Sequence, residues 1–153
     1  MAAQAGTGPV SATEETRMDA MVMKAMTESM SSGQQMAPMP EIDMALMQEC
    51  MDACAACEQA CVVCSTQMMD CAPACMNCAD MCNTMMRTMM RPQGMTAATM
   101  MAMLDACIAA CQNCMDMCMP HAEMSPVCKM CADSCRACMD ACMKMRDSIM
   151  AAA

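Results

Sequence analysis

The amino-acid sequence predicts an all-α protein: an antiparallel up-down-up-down four-helix bundle with a Cys-lined core, preceded by a Met-rich helix. Cysteine recurs in four sets, and every step within a set is three or four residues, which places the thiols on one stripe of an α-helix. Proline, glycine and helix-capping residues stand between the sets. The chain has 18 Cys and 32 Met but no aromatic residue and only ten Leu, Ile and Val, so sulfur must fill the core.

Residues 1–40 are predicted to precede the bundle. The first ten residues are small and include two glycines and a proline, which is typical of a flexible arm. Ser11 followed by Glu14 fits a capping box, which predicts a Met-rich helix over residues 11–31. Residues 34–40 contain two prolines and are expected to form a linker.

The four core helices follow from the breaks between the cysteine sets. Pro73 suits the first turn of the second helix, and residues 91–94 separate the second set from the third. Thr96 and Ser125 are expected N-caps of the third and fourth helices. The predicted helices cover residues 41–68, 73–91, 96–119 and 125–150, and residues 41–153 form the bundle. The short connections predict antiparallel neighbours.

Antiparallel threading gives the core two different ends. The end called here the thiol end gathers Cys64, Cys71, Cys118 and Cys128, with the only histidine of the sequence, His121, in the adjacent loop. The opposite end, called the methionine end, gathers Met44, Met47, Met89, Met100, Leu104, Met145 and Ile149. Thiols are therefore expected along most of the bundle, with one end closed by methionine and aliphatic side chains.

Several classes of function are disfavoured by composition. The chain has a net charge of −9 and no aromatic residue, so it lacks both the basic surplus and the stacking platforms of nucleic-acid-binding proteins. It contains no phosphate-binding or nucleophile-elbow motif, and no enzymatic activity is expected. We expect no membrane helix and no secretory signal, which favours the cytoplasm; export of a mature chain is the alternative.

The cysteine pattern predicts metal binding rather than a structural role. A thiol core buries less apolar area than a leucine core, which disfavours a purely packing role for the cysteines. Cysteines three or four residues apart on one helix have Cβ atoms about 5–6 Å apart, which is too far for a disulfide within the helix. Two thiolates four residues apart can share a Cu(I) ion, and roughly one Cu(I) per cysteine would replace each thiol proton without adding buried charge. The predicted ligands are Cys50, Cys54, Cys57, Cys61, Cys64, Cys71, Cys75, Cys78, Cys82, Cys107, Cys111, Cys114, Cys118, Cys128, Cys131, Cys135, Cys138 and Cys142.

Two other uses of these thiols stay open from the pattern alone. Thiols from facing helices can build tetrahedral Zn²⁺ sites, as in a zinc or mixed-metal buffer of metallothionein type. An Fe–S or dithiol redox protein is the second alternative, although Fe–S clusters usually use loop cysteines in other spacings. Thioethers favour Cu(I), and we expect peripheral ligation by Met44, Met47, Met119 and Met124, with His121 as a further candidate ligand beside the cysteines of the thiol end. Most other methionines are expected to fill the core.

Three segments resemble the bacterial copper storage proteins: MQECMDACAACEQAC at residues 47–61, DCAPAC at residues 70–75 and VCKMCADSCRAC at residues 127–138. The resemblance covers about residues 42–150. It implies a Cys-lined four-helix bundle that stores many Cu(I) ions, commonly as a homotetramer, with copper entering at a mouth that bears His or Met, here His121. A copper chaperone that delivers the metal and an apo-metalloenzyme that receives it are the expected partners.

Overall fold

The computed structural model describes residues 18–32 and 42–152, and within these ranges the chain is helical with short connections. The described α-helices are α1 Met18–Ser31, α2 Met44–Ser65, α3 Ala72–Met89, α4 Ala97–Cys118 and α5 Pro126–Ala152. Short 3-10 turns cover Pro92–Gly94 and Met119–His121. The all-α prediction is confirmed, and each cysteine set lies on one of the helices α2 to α5, with Cys71 as the N-cap of α3.

Side-chain caps explain where the core helices begin. The Asp43 carboxylate accepts hydrogen bonds from two amides of the first turn of α2, an N-cap that the sequence analysis missed. Thr96 caps α4 through a 3.1 Å bond from the Thr99 amide, and Ser125 caps α5 in the same way, as predicted. Pro73 lies in the first turn of α3, where its missing N–H costs nothing.

The predicted helix ends need correction at two connections. Helix α2 ends at Ser65 rather than residue 68, because residues 66–67 form a turn and Met68 has a left-handed φ of 57°. Helix α3 ends at Met89 rather than residue 91, before the 3-10 turn. The predicted arm, the first part of the predicted helix 11–31, the linker 34–40 and residue 41 lie outside the described residues.

The thiol contacts establish the direction of each helix. Along α2 and α5 the pairing runs in opposite senses, from Cys50 beside Cys142 at 3.5 Å to Cys64 beside Cys128 at 3.7 Å. Helices α3 and α4 are likewise antiparallel, since Cys75 lies beside Cys118 and Cys78 beside Cys111. The diagonal pair α2 and α4 runs parallel, since Cys61 lies beside Cys114 and Cys64 beside Cys118. The bundle is therefore up-down-up-down, as predicted.

The methionine end is closed by buried thioethers and aliphatic groups. Met47, Met89, Met100 and Leu104 have no exposed surface, and Met145 and Ile149 are also buried. Helix α1 packs against α2, and its Met23 joins the core. None of the described helices is long and apolar enough to cross a membrane.

Candidate metal centre

All eighteen cysteines lie in the core as free thiols, and none has exposed surface. The steps of three and four residues keep each set on the inward stripe of its helix. Four inward stripes meet along the bundle axis, so the thiols of α2 to α5 form one column of sulfur atoms. The column is shielded from water over its whole length.

The sulfur atoms are spaced as neighbours in contact rather than as bonded pairs. The Cys50 and Cys142 Sγ atoms lie 3.5 Å apart, and contacts of 3.6–4.0 Å continue down the column to Cys64 and Cys128. A disulfide needs about 2.05 Å between its sulfurs. With metal–sulfur bonds of about 2.3 Å, a tetrahedral site places its sulfurs about 3.8 Å apart. The column therefore has the spacing of metal-bridging thiolates.

Groups of four thiols recur along the column, and several of them share members. In each group all Sγ atoms lie within 4.8 Å of one another. Examples are Cys54/Cys82/Cys107/Cys138, Cys57/Cys82/Cys111/Cys138, Cys57/Cys61/Cys78/Cys135, Cys61/Cys114/Cys131/Cys135 and Cys64/Cys71/Cys75/Cys118. Because Cys82 and Cys138 belong to two of these groups, one thiolate can bridge neighbouring ions. The arrangement suits a continuous cluster better than isolated sites.

Burial and mutual contact keep most of these thiols protonated. Burial raises the pKa of Cys64 to about 12. The pKa of Cys138 is also raised, by its hydrogen bonds to Cys107 and other thiols and by burial. The pKa of Cys57 is lowered by its side-chain hydrogen bonds with Cys111 and Cys135. A metal ion that enters the column must therefore displace protons from most of its ligands.

The thiol end brings together the four cysteines predicted to meet there. Cys64 Sγ lies 4.0 Å from Cys71 Sγ, 3.9 Å from Cys118 Sγ and 3.7 Å from Cys128 Sγ. His121 is half-buried at the end of the 3-10 turn that follows Cys118, and so lies at this end of the bundle.

The four candidate methionine ligands have different environments. Met119 and Met124, in the loop beside His121, are 48% and 76% exposed and can meet an ion in solvent. Met47 is fully buried one turn before Cys50, whereas Met44 is half-buried at the start of α2. The candidates thus divide between an exposed pair at the thiol end and, at the methionine end, one half-buried and one fully buried side chain.

Two residues of the α2–α3 connection contact the thiol end, and neither contact was predicted from the sequence. Gln67 Nε2 lies 3.5 Å from Cys128 Sγ and 3.8 Å from Cys64 Sγ. The Cys128 thiol donates a hydrogen bond to Met69 Sδ at 3.6 Å. Helical periodicity could not reveal these contacts, because both residues lie in a turn whose path depends on the packing of the helices.

Comparisons with known proteins identify relatives of this bundle. A sequence model of the copper storage protein (Csp) family matches residues 39–147. The structure of the Streptomyces lividans copper storage protein Ccsp loaded with 10 copper equivalents is similar with a TM-score of 0.71 and 29% identity, covering 82% of this chain and 98% of that chain. A second S. lividans structure, of a cytosolic copper storage protein with five coppers, has a TM-score of 0.64 and 32% identity over 67% of this chain and 93% of that one.

A Ccsp variant with one histidine replaced by alanine has a TM-score of 0.66 and 32% identity, covering 71% of this chain and 98% of that chain. A search of curated proteins found no match.

Proposed function

The chain belongs to the copper storage protein family, as the match over residues 39–147 shows, and from this premise we propose that it stores many Cu(I) ions in its thiol column and so detoxifies copper. The observation that carries the proposal is the unbroken column of eighteen buried thiols. A chaperone or sensor needs only a few ligands, whereas a column of shared thiolates provides capacity. No catalytic role is part of this function.

The chemistry of the column favours Cu(I). Thiolates are soft ligands, and Cu(I) is a soft ion that accepts low coordination numbers. When one Cu(I) replaces one thiol proton, the buried charge does not change, so no uncompensated ion is left in the apolar core. We expect a load of about one Cu(I) per cysteine, or roughly 18 ions, if each thiolate bridges two ions.

We propose that copper enters at the thiol end. His121 is half-buried there, and the exposed thioethers of Met119 and Met124 lie in the same loop. These soft or borderline ligands can bind an ion weakly before it reaches Cys118 and Cys128. Met44 and Met47 are proposed as peripheral ligands at the other end of the column.

The proposed setting is a homotetramer in the cytoplasm, supplied by a copper chaperone and drawn on by an apo-metalloenzyme. Free thiols persist in a reducing compartment, and one S. lividans relative is described as a cytosolic copper storage protein. Oligomeric state can be measured by sedimentation of the apo and loaded forms.

The proposal is tested by offering the reduced apo-protein Cu(I) and Zn²⁺ together under anaerobic conditions, followed by gel filtration and metal analysis. We expect copper to fill the protein and to exclude zinc. A variant with Cys57, Cys61 and Cys135 changed to alanine interrupts the column, and Met85→Leu is the matched control, because it alters a buried core residue without removing a thiol. Retention of zinc, or equal copper loads in both variants, would refute the proposal.

A further inference from the structure

The turn between α2 and α3 lies across the sulfur atoms of the thiol end. The Gln67 amide group faces Cys128 and Cys64, with its Nε2 atom 3.5 Å and 3.8 Å from their sulfurs. Its Oε1 atom accepts a hydrogen bond of 2.8 Å from the Ser125 hydroxyl. That bond fixes the orientation of the amide, because only the NH₂ group can then point at the sulfurs.

Ser125 connects this amide to the start of α5. Its side-chain oxygen also accepts a hydrogen bond of 3.1 Å from the Cys128 backbone amide. Ser125 is buried, whereas Gln67 is half-buried. One edge of the Gln67 side chain is therefore held by α5 while the other covers two thiols.

Met69, in the same turn, also contacts Cys128. The Cys128 thiol donates to Met69 Sδ at 3.6 Å, and Cys64 donates to Cys128 at 3.7 Å. Met69 is half-buried, next to the exposed Met68. Cys128 is thus in contact with a thioether of the turn and with a thiol of the column.

We propose that Met69, Cys128 and Cys64 form the site that admits Cu(I) at the thiol end, and that Gln67 is a latch that covers this site in the apo-protein. The proposal rests on the copper storage function and adds residues that control uptake. The hydrogen between Cys128 and Met69 marks the position that a copper ion takes, and the amide of Gln67 must swing away before an ion can reach it.

Cys128 lies at ligand-sharing distance from both other sulfurs. With metal–sulfur bonds of about 2.3 Å, the Cys128–Met69 distance of 3.6 Å and the Cys64–Cys128 distance of 3.7 Å each correspond to an angle of about 105° at a shared ion, so neither pair can bind an ion linearly without movement. Two soft thiolates and one neutral thioether suit Cu(I). On binding, bonds form from copper to the three sulfurs, the S–H bonds of Cys128 and Cys64 break, and both protons leave to water. The second negative charge is compensated when Cys64 bridges to the next Cu(I) of the column. Copper stays Cu(I) throughout.

Gln67 serves as a latch because its amide is a poor ligand for a soft cation but a good hydrogen-bond donor to the sulfurs. While the latch is closed, only the fraction of molecules with the amide displaced can accept copper. The apparent rate of uptake is reduced by that fraction, as in any equilibrium between closed and open forms.

The test is the initial rate of Cu(I) uptake by anaerobic stopped-flow absorbance of the thiolate-to-copper bands, with the final load measured by metal analysis. The variants are Met69→Leu, Gln67→Ala and the control Met81→Leu, which changes a half-buried methionine in the middle of α3. Far-ultraviolet circular dichroism verifies that each variant is folded. A second readout, independent of rate, is the ¹³C-methyl signal of Met69, identified by its loss in Met69→Leu.

We expect Met69→Leu to slow uptake on the order of tenfold, the scale for groups that tune a metal site. Gln67→Ala should accelerate uptake about fivefold, the factor that one net hydrogen bond represents. Met81→Leu should leave the rate within about twofold, and the Met69 methyl signal should shift on loading. Unchanged or slower uptake by Gln67→Ala overturns the latch, and an unmoved methyl signal overturns the site. In either case a full copper load leaves the storage function standing, whereas a wild-type protein that binds few ions refutes storage itself.

Discussion

Leu104→Ala separates the stability that packing gives the bundle from the stability that copper gives it. Leu104 lies on α4 at the methionine end and has no exposed surface. Truncating a fully buried leucine removes its buried methylene groups and leaves a cavity, which costs about 2–5 kcal/mol. We expect a loss of about 3 kcal/mol in the apo-protein. At about 4 °C per kcal/mol for a bundle of this size, the melting temperature should fall by about 12 °C.

The copper-loaded form should tolerate the same change. Ions that bind only the folded state stabilise it by mass action at every site, and thiolates from facing helices cross-link the bundle. Leu104 supplies no ligand, so the variant should take up the full copper load and stay folded at temperatures that unfold its apo form. The assay is circular dichroism at a helix band, for apo and loaded samples under anaerobic conditions with reductant.

Val62→Ala is the matched control. Val62 is 43% exposed on α2, and its truncation should change apo stability by no more than about 0.5 kcal/mol. An unchanged apo melting temperature in Leu104→Ala would contradict the packing role of Leu104. A loaded variant that unfolds at the same temperature as the apo variant would show that copper adds no cross-linking stability.

Three further predictions concern single thiols, pH and a helix cap. Cys82→Ala should lower the copper load by at least two ions, because Cys82 belongs to two groups of four thiols. The load is measured by metal analysis after gel filtration, and an unchanged load would contradict the bridging of neighbouring ions by Cys82. The pKa of Cys64 is about 12 in the folded apo-protein and near 9 in the unfolded chain, so its contribution to stability is complete below pH 9 and is lost as the pH rises toward 12. Urea unfolding at pH 7.5 and 10.5 should show this loss in the apo form and not in the loaded form. Ser125→Ala should destabilise the apo-protein by about 1 kcal/mol in urea unfolding, because the Cys128 amide loses its cap, and an equal or higher midpoint would count against that cap.

The core could be predicted from the sequence because its signal is periodic. Steps of three and four residues can place a thiol on every inward turn only if the segment is helical, so the cysteine sets predicted both the helices and their inward faces. The short connections then fixed the antiparallel order, and with it the meeting of Cys64 and Cys128 at one end. Thr96 and Ser125 were recognisable because capping depends on local sequence.

The residues that were missed depend on contacts between distant segments. Gln67 touches Cys128, 61 residues away, and its hydrogen bond to Ser125 spans 58 residues. These contacts depend on the path of the α2–α3 turn, in which Met68 adopts a left-handed conformation. This conformation could not be predicted from the sequence, because the residue is not a glycine. Such a path follows from the packing of the helices rather than from any pattern within the turn.

The most direct test of the account is an anaerobic titration of Cu(I) into the fully reduced apo-protein with a chromogenic Cu(I) chelator present. The chain has no Trp or Tyr, so the thiolate-to-copper bands in the ultraviolet have no aromatic background. The thiol column predicts that well over ten ions, approaching one per cysteine, bind before the chelator colours. If only one to four ions bind before that point, the thiols do not store copper and the proposed function is wrong.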